Sequence, residues 1–229
     1  MAATNTKLWY LENFNLFEGM TDKEMKMVED MTQMKTIQKE QFIYFPETPS
    51  SSVFFLKKGR VKIVSYSEDG KEIIKKILWP GEVFGELGLI DDDSKRTDFS
   101  QAMDDDVLIC AMDKNEMVKM MSMNTKLNIK VMKLIGLRLR RVERRVESLI
   151  CKSARTRLVE FIKELAEERG KKVGSEILVK HHLTHQDIAN LNAISRQKTT
   201  AIMNELRDEN IINFDRNTIL VRDMNKLVV

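Results

Sequence analysis

The amino-acid sequence predicts an α+β chain with an N-terminal antiparallel β-roll, a long helix and a C-terminal winged helix-turn-helix. Three observations carry this. Between Gln41 and Met112, short β-rich runs alternate with glycine corners. From about Thr125 the chain reads as helix for about 45 residues with no proline. After Thr184, two capped amphipathic segments flank a tight turn. Charge follows the same division. Residues 1–124 carry 16 Lys+Arg against 22 Asp+Glu, a net of −6, and residues 125–229 carry 22 against 13, a net of +9. The 229 residues are enough for two cores rather than one. Expected domains are therefore a roll over 1–124, a helix over 125–150 and a basic domain over 151–229. The basic domain is the part to suspect of meeting a polyanion.

Composition narrows the classes. Charged residues make up 32% of the chain and mean hydropathy is −0.34, as in ordinary globular domains. Apolar runs fall far short of the ~18 residues that span a bilayer. No charged segment followed by an apolar stretch opens the chain, so neither a secretory signal nor a membrane partner is expected. Cys110 and Cys151 are the two cysteines and form no CxxC, which points to a reduced, cytoplasmic protein.

Residues 8–35 read as short helices, with Thr21 and Glu24 as a capping box and Met25, Val28 and Met31 as a stripe. Val53–Leu56, Val61–Val64, Ile73–Leu78 and Val107–Ala111 read as strands, and Ser67 to Lys71 as a hairpin turn. In the long helix, Met132, Ile135, Leu139, Val142, Val146 and Leu149 are spaced 3, 4, 3, 4 and 3 apart. Arg138, Arg140, Arg141, Arg144 and Arg145 flank them. Such a seam either packs on the chain's own roll or joins two parallel protomers; the heptad spacing with charged flanks favours a homodimer. Gly136 alone interrupts the helical pattern, and Cys151–Ser153 is the expected hinge, because Ser153 caps the next helix.

Thr184-His-Gln-Asp187 is a second capping box, with Ile188, Ala189 and Leu191 on the buried side. Asn192-Ala-Ile194 is a turn, with Ala193 where such turns often carry Gly. Ser195 then caps a helix over Arg196 to Asn210 whose inner face is Thr199, Ile202, Met203 and Leu206. Ile211–Arg222 follow as two short strands around Asp215-Arg-Asn217, a wing. In a helix-turn-helix the second helix enters the major groove of double-stranded DNA. Thr184, Ser195, Arg196, Gln197, Lys198 and Thr200 are the candidate DNA-binding residues. Arg196 suits the O6/N7 edge of guanine, Gln197 suits adenine, and Lys198 and Thr200 suit phosphate or bases.

The stretch Pro80-Gly-Glu-Val-Phe-Gly-Glu-Leu-Gly-Leu89, followed by Lys95-Arg-Thr97, combines glycines that admit an anion with an arginine fork and a ribose-accepting carboxylate. It resembles the phosphate-binding cassette of cyclic-nucleotide-binding domains, and the spacing is that of CRP/FNR-family transcription regulators. The resemblance covers residues 10–225 and implies a jelly-roll sensor, a dimerising helix and DNA-binding helices. It implies that Gly85, Glu86 and Leu87 with Arg96 and Thr97 line an effector site, Glu86 on the ribose and Arg96 and Thr97 on the cyclic phosphate. It also implies a palindromic operator and RNA polymerase as a partner.

Departures from the family pattern bear on the ligand. Where cAMP-responsive members read adenine with a Thr-Ser pair, this chain has Val142 and Glu143. Asp98 replaces a small residue beside Asp91, Asp92 and Asp93, which puts negative charge at the pocket mouth. Three readings stay open: a nucleotide-like ligand, another small effector, or a cassette kept as scaffold with Glu86 and Arg96 paired to each other. Gln197 stands where the family often has Glu and Ala201 where some members are basic, so the operator is expected to differ at those bases. No haem ligated by histidine is expected, because His181, His182 and His185 all lie beside the DNA-binding helices. Two cysteines cannot hold a four-Cys iron–sulfur cluster. The histidines read as a solvated loop rather than a metal site, Cys110 as a buried thiol, Cys151 as a hinge thiol among basic residues, and Met117, Met120, Met121 and Met123 as packing. No nucleophile–base set or carboxylate pair suggests an enzyme. The rival reading is a cyclic-nucleotide-binding module that regulates a partner protein, which has no need of the Ser195–Asn210 segment.

Overall fold

The computed structural model of the chain describes residues 11, 14–90 and 95–227. Asp91, Asp92 and Asp93, and the start of the 8–35 segment, lie outside the described residues. The chain divides into two compact units, residues 1–138 and 139–229.

The first unit opens with α1 (Asp22–Met31), whose capping box is complete: Thr21 Oγ1 accepts from Glu24 N, and Glu24 Oε2 accepts from Thr21 N. Helix does not continue to residue 35. Thr32–Ile37 is strand β1, because all six residues pair with β8 (Val107–Asp113). The remaining strands are β2 (Phe42–Tyr44), β3 (Ser52–Lys58), β4 (Val61–Tyr66), β5 (Glu72–Leu78), β6 (Val83–Phe84) and β7 (Phe99–Ala102). They form two antiparallel sheets, ordered β1-β8-β3-β6 and β2-β7-β4-β5. The Ser67–Lys71 turn closes β4 onto β5, with Ser67 N donating to Lys71 O and Gly70 in the left-handed region at φ 74°.

β3 is buried on both faces because it separates two cores. Phe54, Leu56, Val61, Leu78, Phe84, Val107 and Ile109 fill the interior of the roll. Val53, Phe55, Cys110 and Met112 face the opposite way, against Phe14, Phe17 and Val28. Met117 and Met120 of α2 (Lys114–Met123) and Leu127 and Val131 of α3 (Thr125–Cys151) join this second core. Cys110 is thus fully buried, as its strand alternation implies.

α3 runs 27 residues straight through Gly136, which costs helix propensity without ending the helix. It stops at Cys151. Ser153 Oγ accepts from Thr156 N and starts α4 (Ala154–Arg169), so the break falls where the cap predicts it. In the second unit, β9 (Lys171–Val173), β10 (Glu176–Lys180), β11 (Ile212–Phe214) and β12 (Thr218–Val221) form a sheet ordered β11-β12-β10-β9. It supports α5 (His185–Asn192) and α6 (Arg196–Asp208). The β9–β10 hairpin leaves little trace in the sequence because half of its residues are charged or glycine.

The register between β3 and β8 shifts between Leu56 and Lys58, and the residue left in the bulge is Lys57. Its side chain is buried, with Nζ 3.8 Å above the Phe14 ring and no hydrogen-bond acceptor among the described residues. Desolvation pulls its pKa down to about 7, with a smaller upward pull from Cys110. The unfolded chain therefore binds the extra proton between pH 7 and about 10.5, so this residue lowers stability fully below pH 7 and the loss fades as pH rises. Lys57→Met is expected to raise unfolding free energy at pH 7 by on the order of 2–4 kcal/mol. Urea titrations at pH 7 and pH 9.5 should show the wild type gaining stability over that interval and the variant gaining much less.

Candidate functional site

Gly85 builds the cassette. Its φ is 80°, and a Cβ there would sit 2.9 Å from both Arg96 Nη1 and Ser52 O, so glycine is required by conformation and by space. The chain then makes a 3₁₀ turn over Glu86–Leu89, and Gly88 lies so close to Ser50 that a Cβ would overlap its Oγ at 2.3 Å. Ser50 to Ser52 and the turn are therefore pressed together around one buried side chain, Arg96.

Arg96 enters from the strand-free segment before β7. Its backbone is pinned by Arg96 N donating to Thr48 O and Glu47 N donating to Arg96 O, each at 2.9 Å. The guanidinium donates from Nη1 to Gly85 O at 3.0 Å and from Nη2 to Ser52 O. It lies over Tyr44, 4.5 Å from the ring centroid, and 5.7 Å from that of Phe54. Nε has no partner, and no carboxylate among the described residues pairs with the group. Desolvation lowers its pKa, with Tyr44 opposing, and burial pushes the Tyr44 phenol up to about 12 against the pull of Arg96. The result is a buried cation held by neutral groups only.

Glu86 does not pair with Arg96, which corrects the expected Glu86–Arg96 pairing. The buried Glu86 carboxylate forms an ion pair with Nη1 of Arg138 on α3, and Nη2 of Arg138 donates to Val83 O. Asp98 is also not an unbalanced charge at the mouth, because Lys75 pairs with it. Leu87 and Thr97 are exposed, and Val142 and Glu143 are exposed on the stretch of α3 that belongs to the second unit. The structure thus brings together Gly85, Glu86 and Arg96. Arg138 completes them; sequence spacing placed it only as a charge flanking the apolar seam.

In the second unit, Thr184 and Asp187 form the predicted capping box of α5, and Ser195 Oγ accepts from Lys198 N to open α6. Thr199, Ile202, Met203 and Leu206 are buried. Arg196, Gln197 and Lys198 are exposed, and Arg196, Gln197, Thr200, Ala201 and Asn204 line one shallow concavity. Ala193 takes φ 51° in the turn, the conformation in which glycine is at ease and alanine is strained. Two arginines offset this. Arg157 donates from Nε to Asn192 O at 3.0 Å and from Nη2 to Ala193 O, and Arg145 of α3 donates to Leu191 O at 2.8 Å. Cations on the last carbonyls of α5 satisfy its open acceptors and its dipole. Neither arginine is recognisable from sequence, since their partners are backbone atoms about 36–46 residues away.

The histidines separate. His181 is buried, not in a solvated loop as its sequence context suggests, and its Nδ1 accepts from Leu183 N at 2.9 Å. His182 is exposed at φ 50°. His185 Nδ1 lies 2.9 Å from Thr200 Oγ1, with its ring 5.6 Å from that of Phe214. No group of three metal-ligating side chains occurs among the described residues. No helix among them is long and apolar enough to cross a membrane.

Residues 34–124 match the family described as "Cyclic nucleotide-binding domain", and residues 156–228 match "Crp-like helix-turn-helix domain". The chain is 22% identical over 217 residues to a "CRP-like cAMP-activated global transcriptional regulator" of Mycobacterium tuberculosis, covering 95% of this chain and 96% of the relative. It is 26% identical over 188 residues to a "Global nitrogen regulator" of a Nostoc species, covering 82% and 84%. A solved structure of a CooA mutant from Carboxydothermus hydrogenoformans superposes with a TM-score of 0.78 at 25% identity, covering 98% of this chain and 95% of that one. FixK2 from Bradyrhizobium japonicum superposes with a TM-score of 0.76 at 19% identity, covering 86% and 95%.

The buried pair makes a quantitative expectation. Glu86→Ala removes the buried carboxylate that balances the Arg138 charge and should cost about 3 kcal/mol of unfolding free energy. Adding Arg138→Ala should return part of that loss, and the coupling emerges from a double-mutant cycle by urea unfolding.

Proposed function

We propose, for a chain that belongs to the CRP/FNR family of transcription regulators, that two copies bind a palindromic DNA site through paired α6 helices under the control of a small anionic effector. As a family member it is an effector-controlled DNA-binding regulator. The observation that carries the reading for these residues is the first turn of α6. Arg196, Gln197 and Lys198 are presented to solvent by a helix whose opposite face is locked into the unit's core.

Arg196 would read guanine, Gln197 a neighbouring base, and Thr184, Ser195, Lys198 and Thr200 would contact phosphates or base edges. Two such helices related by a dyad read half-sites ~34 Å apart. The apolar seam supplies the dyad. Met132, Leu139, Val142, Val146 and Leu149 are between 42% and 66% exposed in the single chain, more than a helix leaves in water without a partner. Ile135 is partly buried against the roll's helical core, so the self-contact begins in earnest at Leu139. A second copy in parallel register is the occupant that heptad spacing selects.

Arg96 and Glu86 supply the effector site. A buried guanidinium without a carboxylate partner favours an anion, and Glu86 beside it can accept a ligand hydroxyl. Val142 and Glu143 lack the paired hydroxyls that read adenine in cAMP-responsive relatives, so the site suits a phosphate-bearing ligand other than cAMP. A ligand that draws Glu86 toward a hydroxyl weakens its hold on Arg138 and with it the register of α3. The same helix, farther along, holds the α5–α6 turn through Arg145. The protein would act in the cytoplasm with RNA polymerase as its partner.

Two measurements test this. Arg196→Ala should weaken specific binding by about 1–3 kcal/mol and relax preference at one base pair per half-site, read by gel shifts on operators selected from a random pool. Leu139→Asp combined with Val146→Asp should convert the dimer to monomer in sedimentation velocity without unfolding either unit. A dimer that persists would place the self-contact elsewhere.

A further inference from the structure

His185 is not one of the residues that reads DNA in the proposal above, yet it is the side chain that sets the hydrogen-bonding character of one that does. It occupies the first position of α5, and its Nδ1 lies 2.9 Å from Thr200 Oγ1 on α6. Thr200 lines the solvent-facing concavity with Arg196, Gln197, Ala201 and Asn204. The imidazole also packs on Phe214 of the wing strand, so it is clamped between the recognition helix and the wing.

Resting on the DNA-binding reading, we propose that His185 is a positioning residue that determines which base Thr200 reads, and that its protonation reverses that preference. A neutral imidazole with a bare Nδ1 accepts the Thr200 hydroxyl proton. The oxygen then presents lone pairs to DNA and selects an exocyclic amine, on cytosine N4 or adenine N6. A protonated imidazole has no acceptor and must donate from Nδ1. The Thr200 hydroxyl is then released to donate, and it selects guanine O6/N7 or thymine O4.

The surroundings keep this group poised. His185 is half-buried, and its pKa is lowered first by desolvation and then by Arg196 from α6. From the wing, the facing group is the uncharged Phe214, itself 5.4 Å beneath the Arg207 guanidinium. On its own helix, Asp187 is committed to the Thr184 cap. Free protein therefore holds His185 neutral at pH 7, and a DNA phosphate beside the concavity favours the proton. The neutral form dominates at high pH and the charged form as pH falls through its lowered pKa.

The test uses the full-length protein and operators differing at each base pair of the half-site, in competition binding at pH 5.0 and pH 8.0. The wild type should change its preferred base at one position per half-site, by about tenfold, from an amine-bearing base at pH 8.0 to an acceptor base at pH 5.0. His185→Gln should keep a preference at that position but lose its pH dependence, and Thr200→Val should lose both. As a second readout, ¹⁵N spectra resolve the ring nitrogens readily in a chain with 3 histidines, and Nδ1 of His185 should be unprotonated at pH 8.0. Sequence-specific binding with the same base preference at both pH values would overturn the inference and leave DNA recognition standing. So would a protonated Nδ1 at pH 8.0. Absence of any sequence-specific binding would overturn the DNA-binding reading itself.

Discussion

The ion pair between Glu86 and Arg138 is where the β-roll takes hold of the long helix. The cassette turn of the first unit is built around this pair. Glu86 is nearly buried on a 3₁₀ turn that only Gly85 and Gly88 can make, and a carboxylate in that position must have a counter-charge. Arg138 provides it, and its second nitrogen satisfies the Val83 carbonyl that the short strand β6 leaves open. Leu127 and Val131, two turns earlier on the same helix, fill the core against Phe14 and Met117. Packing fixes the helix along its beginning, and one charge fixes it at the cassette. A helix held by packing alone tolerates small rotations. One held by a buried charge does not, and this makes the pair the point at which the proposed ligand would act.

Arg96 is the complementary constraint. The roll buries a second cation and offers it only carbonyls and aromatic faces. Carbonyl oxygens and π-faces soften the desolvation cost without cancelling the charge. Such an arrangement leaves the charge uncompensated and so favours an anion beside it. The proposed effector follows from this imbalance, and so does the direction of its effect. It adds negative charge at Arg96 and competes for Glu86, so it stabilises one of the two buried arginines while loosening the other.

Much of this was legible in the sequence because it was local. The capping boxes at Thr21–Glu24 and Thr184–Asp187, the hairpin at Ser67–Lys71, the stop at Cys151 and the Ser195 cap all depend on residues within four positions of one another. What the sequence hid was set by distance. β1 was read as helix because Met31 to Lys35 continue an acceptable helical stripe, and only pairing with β8 decides otherwise. Arg138 looked like one of five arginines flanking the seam because its partner lies 52 positions away. Arg145 and Arg157 act on backbone carbonyls, which carry no residue-specific signal. Lys57 reads as the polar edge of an apolar run, and the bulge that turns it inward is invisible without the β8 register.

The strained turn at Ala193 shows how these distant contacts let the chain depart from local rules. Alanine in the left-handed region costs roughly 1 kcal/mol or more relative to glycine. The backbone cap is nonetheless made, with Ile194 N donating to Ala189 O at 3.1 Å. The three carbonyls beyond it, of Leu191, Asn192 and Ala193, are met by Arg145 and Arg157, side chains that come from α3 and α4. The turn between the DNA-reading helices is therefore held from outside, by the helix that carries the exposed seam and by its immediate successor. A glycine at this position would relieve the strain and leave these arginine contacts in place. With alanine the turn keeps its strained conformation while side chains from α3 and α4 grip its carbonyls.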